Sequence, residues 1–336
     1  MTIIAHRTLH TLEVPSFTLE SGETLHALRQ AYHLDGTLDA SRDNLVLVFH
    51  ALTGSADAAG DWWSRIVGPG LALDTNRWAV LAPNLLGSCY GTTGPSDQPD
   101  VPFPAVTPRD QARFAALLVE SLGVRSVALA TGGSLGGMVA LEFAALQPGR
   151  TRATVVLAAP AAHTAHAIAW NAVQRACLDA AGDAGLALAR QISMIAFRSE
   201  REFESRFGRA VEADGRFSVE SYLEHHGEKL ARRFDAATYR TLLGAMDAHD
   251  IGRGRGGAAR ALRAIDSAIY AVGVRGDQLY SADVVSAWAA HAGAEYREIS
   301  SIYGHDAFLL EHGQVGDILR EALHVAARTN STRDVA

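Results

Sequence analysis

The segment 126–143 constrains this chain more than any other. An apolar run, Val127-Ala128-Leu129-Ala130, leads into Gly132-Gly133-Ser134-Leu135-Gly136, and a helical pattern continues to Phe143. Strand, Gly-x-Ser-x-Gly and helix in that order predict a nucleophile elbow at the top of a parallel sheet. Such a turn strains the serine backbone, and the flanking glycines leave no Cβ to obstruct the approaching helix. Ser134 Oγ then stands at a helix N-terminus, whose N–H groups favour a developing anion. The competing reading is an ordinary glycine-rich strand-to-helix turn, so the rest of the chain decides.

At 336 residues the sequence accommodates one large α/β domain with an insertion, or two modest domains. With 48% hydrophobic and 20% charged residues it can fill a sizeable core. Its formal charge of −7 argues against a general nucleic-acid or membrane-surface role. Cys89 and Cys177 lie far apart with no CxxC or Cys/His cluster, so neither a disulfide framework nor a metal site is expected. The N-terminal stretch carries Glu13 and Glu20 and no signal-like apolar run, and no uninterrupted apolar segment is long enough for a membrane span. A soluble, cytoplasmic protein is the expectation.

Taken in order, 1–12 carry little pattern and read as a loose lead-in. Segments 16–19 and 25–33 predict two antiparallel strands around a tight turn, and 45–49 a strand buried on both faces. A short helix and turn are expected over 61–70, a strand over 78–81, a helix over 109–122 and a strand over 153–157. From 163 to 265 the pattern is helical, with helices expected over 164–181, 184–198, 218–233 and 235–248. The glycine-rich run 250–257 reads as a flexible connection, since no strand precedes it. Strands over 267–272 and 296–299 and helices over 286–292 and 314–327 complete the chain, with 330–336 a frayed tail. The sequence thus predicts an α/β core from 1–160 and 266–336, with a mostly parallel sheet flanked by helices. Residues 161–265 form a helical cap inserted between sheet strands.

Three chemical residues fall at predicted strand ends, in the order Ser134, Asp277, His305. A serine hydroxyl is a weak nucleophile at neutral pH, so His305 is needed to take its proton and return it. Asp277 orients the imidazole and stabilises its charged form. The loop His50-Ala51-Leu52-Thr53-Gly54 follows a buried strand and offers one oxyanion-hole N–H, that of Leu52, with Thr53 the alternative. The second comes from Leu135, and donors so placed contribute ~3–4 kcal/mol each. His50 reads as a packed histidine that shapes this loop. Cys89, in the Gly/Thr/Ser-rich loop 84–95, has no local feature to activate it.

At this point the residues resemble a known family, the homoserine O-acetyltransferases of the α/β-hydrolase superfamily. The likeness covers 40–312 and rests on His50-Ala51-Leu52-Thr53-Gly54, on Trp62-Trp63 with Gly68-Pro69-Gly70, and on Asn84-Leu85-Leu86-Gly87 with Tyr90-Gly91-Thr92-Thr93-Gly94-Pro95. It extends through Gly132-Gly133-Ser134-Leu135-Gly136-Gly137-Met138 and Tyr303-Gly304-His305-Asp306-Ala307-Phe308. The resemblance implies acyl transfer from acetyl-CoA to L-homoserine by a ping-pong route in methionine biosynthesis. Acetyl-CoA enters as a donor substrate, with no permanently bound cofactor and no metal. It also implies Arg190 for the acceptor carboxylate, Asp306 for its ammonium group, Thr53 on the substrate side, and a homodimer formed through the cap helices. The chemistry agrees, because a zwitterionic acceptor needs one cation and one anion. A helix N-cap is the alternative role for Asp306. Two departures stand out: the cap is short around 178–184, and a tyrosine common in the family is Phe197 here. Both bear on the donor and acceptor, so an ester hydrolase, a succinyl donor or a serine acceptor remain as alternatives.

Overall fold

In a computed structural model of the chain, residues 7–333 are described. The chain opens with an antiparallel hairpin, β1 (His10–Thr18) and β2 (Thr24–Asp35), and β3 (Leu45–Phe49) follows. A two-residue parallel pair, β4 (Val67–Gly68) and β5 (Leu73–Asp74), precedes β6 (Ala79–Pro83). Then come α1 (Pro108–Ser121), β7 (Val127–Gly133), α2 (Leu135–Leu146) and β8 (Thr151–Leu157). Five helices follow: α3 (Ala165–Phe197), α4 (Glu200–Arg206), α5 (Ser218–Ala231), α6 (Ala236–Asp247) and α7 (Ala258–Arg263). The chain closes with β9 (Ala268–Val274), α8 (Ala282–Ala292), β10 (Glu295–Ile299), α9 (Ala307–Leu310) and α10 (His312–Arg333).

Eight strands form one sheet in the order β1-β2-β6-β3-β7-β8-β9-β10, parallel from β6 to β10. Every residue of β3, β6, β7 and β8 is buried, because helices cover both faces. Alternation then divides each strand between two cores. Leu45, Leu47 and Phe49 pack with Phe143 and Met138 of α2, while Val46 and Val48 pack with Val315 and Leu319 of α10. This sandwich fixes the sheet's C-terminal edge, where the predicted chemical residues emerge.

Several boundaries differ from expectation. β1 begins at His10, inside the expected lead-in, and pairs through His10↔Tyr32 to Thr18↔Thr24; residues 1–6 of that lead-in lie outside the described ones. Segment 61–70 is a series of turns around the short β4, not a helix. Its anchor is Trp63, which is fully buried and donates its indole N–H to the Phe308 carbonyl at 3.1 Å. α4 was not foreseen; the Ser199 hydroxyl caps it by accepting from Glu202 N–H at 3.1 Å. α3 breaks at Gly182, which has φ 52°, so the division expected between 181 and 184 is a kink within one long element. α10 runs to Arg333, past the start of the expected tail, and 334–336 lie outside the described residues.

The helices between β8 and β9 are stitched to the core at a narrow neck. Ala162 bridges Asp250, His163 N–H donates to the His249 carbonyl, and Ile251 N–H donates to that of Ala161. The glycine-rich run beyond is tied down as well, contrary to the flexible connection expected. Arg253 pairs with Glu20 at 2.8 Å, and Arg255 with the buried Glu142 at 2.7 Å.

Candidate active site

The elbow owes its shape to four glycines in close quarters. A Cβ on Gly132 would stand 2.7 Å from the Phe49 carbonyl oxygen, and one on Gly137 would stand 2.8 Å from Ala159 Cβ. On Gly136 it would fall inside the Phe49 carbonyl, and on Gly133 inside the Phe308 ring. Sheet and helix can meet this closely only where side chains are absent. Ser134, between them, takes φ 56° and ψ −124°, a conformation that costs on the order of 1–3 kcal/mol. The packing around it holds that strain, and the reward is a hydroxyl lifted clear of the turn at the start of α2.

Asp277 and His305 meet behind the serine. His305 Nδ1 lies 2.7 Å from Asp277 Oδ2, and both side chains are buried. The other carboxylate oxygen, Oδ1, accepts from the backbone N–H groups of Leu279 at 2.8 Å and Tyr280 at 2.9 Å. Three donors therefore fix the acid, and a carboxylate so held places the His305 proton on Nδ1. His305 Nε2 is buried with no hydrogen-bond partner among the described residues, and it lines the same cleft as Ser134. Burial pulls the His305 pKa down, but the Asp277 charge, its hydrogen bond and the Asp306 charge outweigh it and raise the value.

The cleft is narrow, about 70 Å³. Leu52, Thr53, Ser134, Arg190, His305 and Asp306 all line it. No hydrogen bond among the described residues engages the N–H of Leu52 or of Leu135. The loop bearing Leu52 is held from two sides. His50 Nδ1 meets the Ala51 carbonyl at 2.8 Å while its Nε2 accepts from Leu85 N–H at 3.1 Å. From the helical side, Arg233 donates to the Thr53 carbonyl at 2.9 Å and to the Tyr90 hydroxyl at 2.7 Å. His50 thus serves as a spacer.

Arg190 reaches the cleft from α3, and no carboxylate lies within ion-pair distance of it among the described residues. Burial lowers the pKa of its guanidinium, which remains a cation. It lies over the Phe197 ring at 5.8 Å, and that ring in turn packs on His305 with centroids 5.5 Å apart. Asp306 is ion-paired: Arg198 Nε sits 3.0 Å from its Oδ2. Its side chain does not cap a helix.

Arg198 and Tyr280 escaped the sequence reading. A partly buried arginine at a helix end and a tyrosine after a loop aspartate carry no motif; only folding shows what they face. Cys89 donates its thiol to Asp235, and burial raises its pKa to about 11, so it is no nucleophile. Among the described residues no group of three or more His, Cys, Asp or Glu could hold a metal ion, and no helix is long and apolar enough to cross a membrane.

Comparison with known proteins extends these observations. A family model described as alpha/beta hydrolase fold matches residues 44–311. The chain is 44% identical to the homoserine O-acetyltransferase of Thermobifida fusca, over 91% of this chain and 90% of that one. It is 45% identical to an enzyme of the same name from Thermus thermophilus, over 90% and 88%. Among solved structures, homoserine O-acetyltransferase from Staphylococcus aureus superposes with a TM-score of 0.83 at 30% identity, covering 95% of each chain. Esterase E22 superposes with a TM-score of 0.85 at 21% identity, over 94% of this chain and 99% of its own, a likeness of fold alone. With a family model matched over 44–311 and this identity across nearly its whole length, the chain belongs to the homoserine O-acetyltransferase family of alpha/beta hydrolases.

Proposed function

We propose that this chain moves an acetyl group from acetyl-CoA to the hydroxyl of L-homoserine through an acetyl-serine at Ser134. In the first half-reaction His305 Nε2 takes the Ser134 proton as Oγ attacks the thioester carbonyl. The oxyanion draws hydrogen bonds from the N–H groups of Leu52 and Leu135. Collapse breaks the C–S bond, and His305 passes its proton to the departing CoA sulfur. In the second half-reaction His305 accepts the homoserine hydroxyl proton, the alkoxide attacks the acetyl carbonyl, and Ser134 regains the proton as the ester leaves. Asp277 keeps Nδ1 protonated throughout and stabilises the imidazolium in both halves.

One observation carries the choice of acceptor: an arginine without a carboxylate partner stands in the same small cleft as the serine and histidine. An esterase for neutral esters gains nothing from a cation held there, whereas an amino-acid carboxylate supplies the missing anion. Asp306, already beside Arg198, offers its remaining oxygen to the ammonium group.

The test is partition. The protein is incubated with acetyl-CoA, with and without homoserine, while CoA release and O-acetylhomoserine are followed. Homoserine should accelerate CoA release and appear as its ester. CoA release indifferent to homoserine, with acetate the only product, overturns the transferase reading in favour of ester hydrolysis. Mass spectrometry of the Ser134→Ala variant after exposure to acetyl-CoA should show no added acetyl group.

A further inference from the structure

Behind the catalytic pair lies a second chain of acid, histidine and hydroxyl. The His163 side chain, where the chain passes from β8 towards α3, is buried, and its Nδ1 sits 3.1 Å from Asp247 Oδ1 on α6, a charge contact without hydrogen-bond alignment. Its Nε2 is 2.8 Å from the Tyr280 hydroxyl. A lone pair on Nδ1 would be repelled by the carboxylate, so the proton resides there, Nε2 accepts, and Tyr280 donates. Asp247 is held in turn from α3, by Asn171 Nδ2 at 2.8 Å and by Arg175.

Tyr280 belongs to both chains. Its backbone N–H donates to Asp277 Oδ1 at 2.9 Å, and its ring meets that of His305 edge-on, with centroids 5.3 Å apart. The Tyr280 side chain is fully buried, so its hydroxyl meets no substrate and performs no second reaction. Its other end leads to the neck, where 161–163 and 249–251 pair as the helical segment leaves and rejoins the core.

We infer that Tyr280, held by His163 and Asp247, is a positioning residue that couples the seating of the helical insertion to the orientation of Asp277 and His305. This rests on the reading of Ser134, Asp277 and His305 as the catalytic set. When the insertion is seated, Asp247 fixes His163, His163 fixes the Tyr280 ring, and the Tyr280 N–H fixes the carboxylate. When the neck loosens, the acid loses one of its donors and the imidazole its edge-on support. Misplacement of a catalytic group by a fraction of a hydrogen-bond length costs rate without any loss of contact to substrate.

The experiment measures the rate at which a serine-directed fluorophosphonate labels Ser134 in the full chain, which reports triad activation whatever the donor and acceptor. Tyr280→Phe removes one oxygen and keeps the ring. It should label about tenfold more slowly than the parent at temperatures well below its melting point. His163→Gln should behave alike, and the double variant should be no slower than the slower single one, as expected for one coupled unit. In acyl transfer the loss should fall on kcat, leaving KM for homoserine unchanged. A purely structural tyrosine would lower the melting temperature and leave labelling intact. Labelling of folded Tyr280→Phe within about twofold of the parent, or effects that multiply in the double variant, overturns the coupling and spares the triad. No labelling of the parent overturns both. Should His163→Gln not fold, Arg175→Met, which releases Asp247 from its partly exposed side, takes its place with the same expected slowing.

Discussion

Two buried histidines stand at the site, His305 lining the cleft and His50 behind the loop that carries Leu52, and their fates differ. His50 and His305 are both buried, and in each burial opposes the charged form. For His50 burial prevails: its ring lies between the Ala51 carbonyl and the Leu85 N–H, and its pKa falls to about 4. For His305 the Asp277 carboxylate at 2.7 Å reverses the outcome and the pKa rises. Burial alone produces a neutral spacer. A buried imidazole becomes a base only when an acid is placed against its far nitrogen and the near one is left facing the nucleophile.

Removing the acid should therefore matter far more than removing the spacer. Asp277→Asn preserves shape but lets Nδ1 lose its proton preference, and kcat should fall by about 10³–10⁴-fold. His50→Leu should cost about 1–3 kcal/mol of stability, because it leaves the Leu85 N–H without its acceptor, and less than about tenfold in kcat. Steady-state acyl transfer with both variants, below their melting temperatures, decides. A His50 variant as slow as Asp277→Asn would make His50 a participant and erase the contrast.

The same contrast predicts opposite pH dependences of stability. The folded pKa of His50 is about 4 and the unfolded value about 6.5. Its contribution, about 3 kcal/mol, is therefore present above pH 6.5 and lost as pH falls towards 4. The folded pKa of His305 lies above its unfolded value. Its contribution is present below pH 6.5 and lost as pH rises through the folded value. Denaturant midpoints at pH 7 and 4.5 should show the parent losing more stability on acidification than His50→Leu does. Equal losses would remove His50 from the account. Activity should follow the neutral form of His305, with an acid limb of kcat/KM above pH 6.5.

How far the sequence foretold this depends on what kind of constraint acts at each place. The sheet and the elbow were legible because sterics leave a local trace. A buried parallel strand must be apolar throughout, as 45–49 and 127–130 are, and the elbow must carry glycines where Phe49 and Phe308 press on it. Ser134, Asp277 and His305 were legible from their order at strand ends. The electrostatic surroundings were not. Whether Asp306 is free or bound to Arg198 depends on where the end of α3 lands. The meeting of His163, Asp247 and Tyr280 joins three segments far apart in the chain. Neither leaves a spacing to read. Segment 61–70 failed for a related reason: its tryptophans look helical in series, but Trp63 is spent on a contact with Phe308, 245 residues away.

The last test falls on the charged side of the cleft, at Arg190. Arg190 lines the cleft across Phe197 from His305, and no carboxylate pairs with it among the described residues. If it receives the acceptor carboxylate, Arg190→Met keeps most of the aliphatic packing and deletes one charge-assisted contact of about 1.5–3 kcal/mol. KM for homoserine should rise by about 10–100-fold, while KM for acetyl-CoA and the rate of the first half-reaction stay within about twofold. A lysine at this position should recover only part of the loss, because it offers a point charge where a planar fork can bind both carboxylate oxygens. Should both KM values rise together, Arg190 shapes the cleft for either substrate. The histidine contrast would then stand without any charge selecting the acceptor.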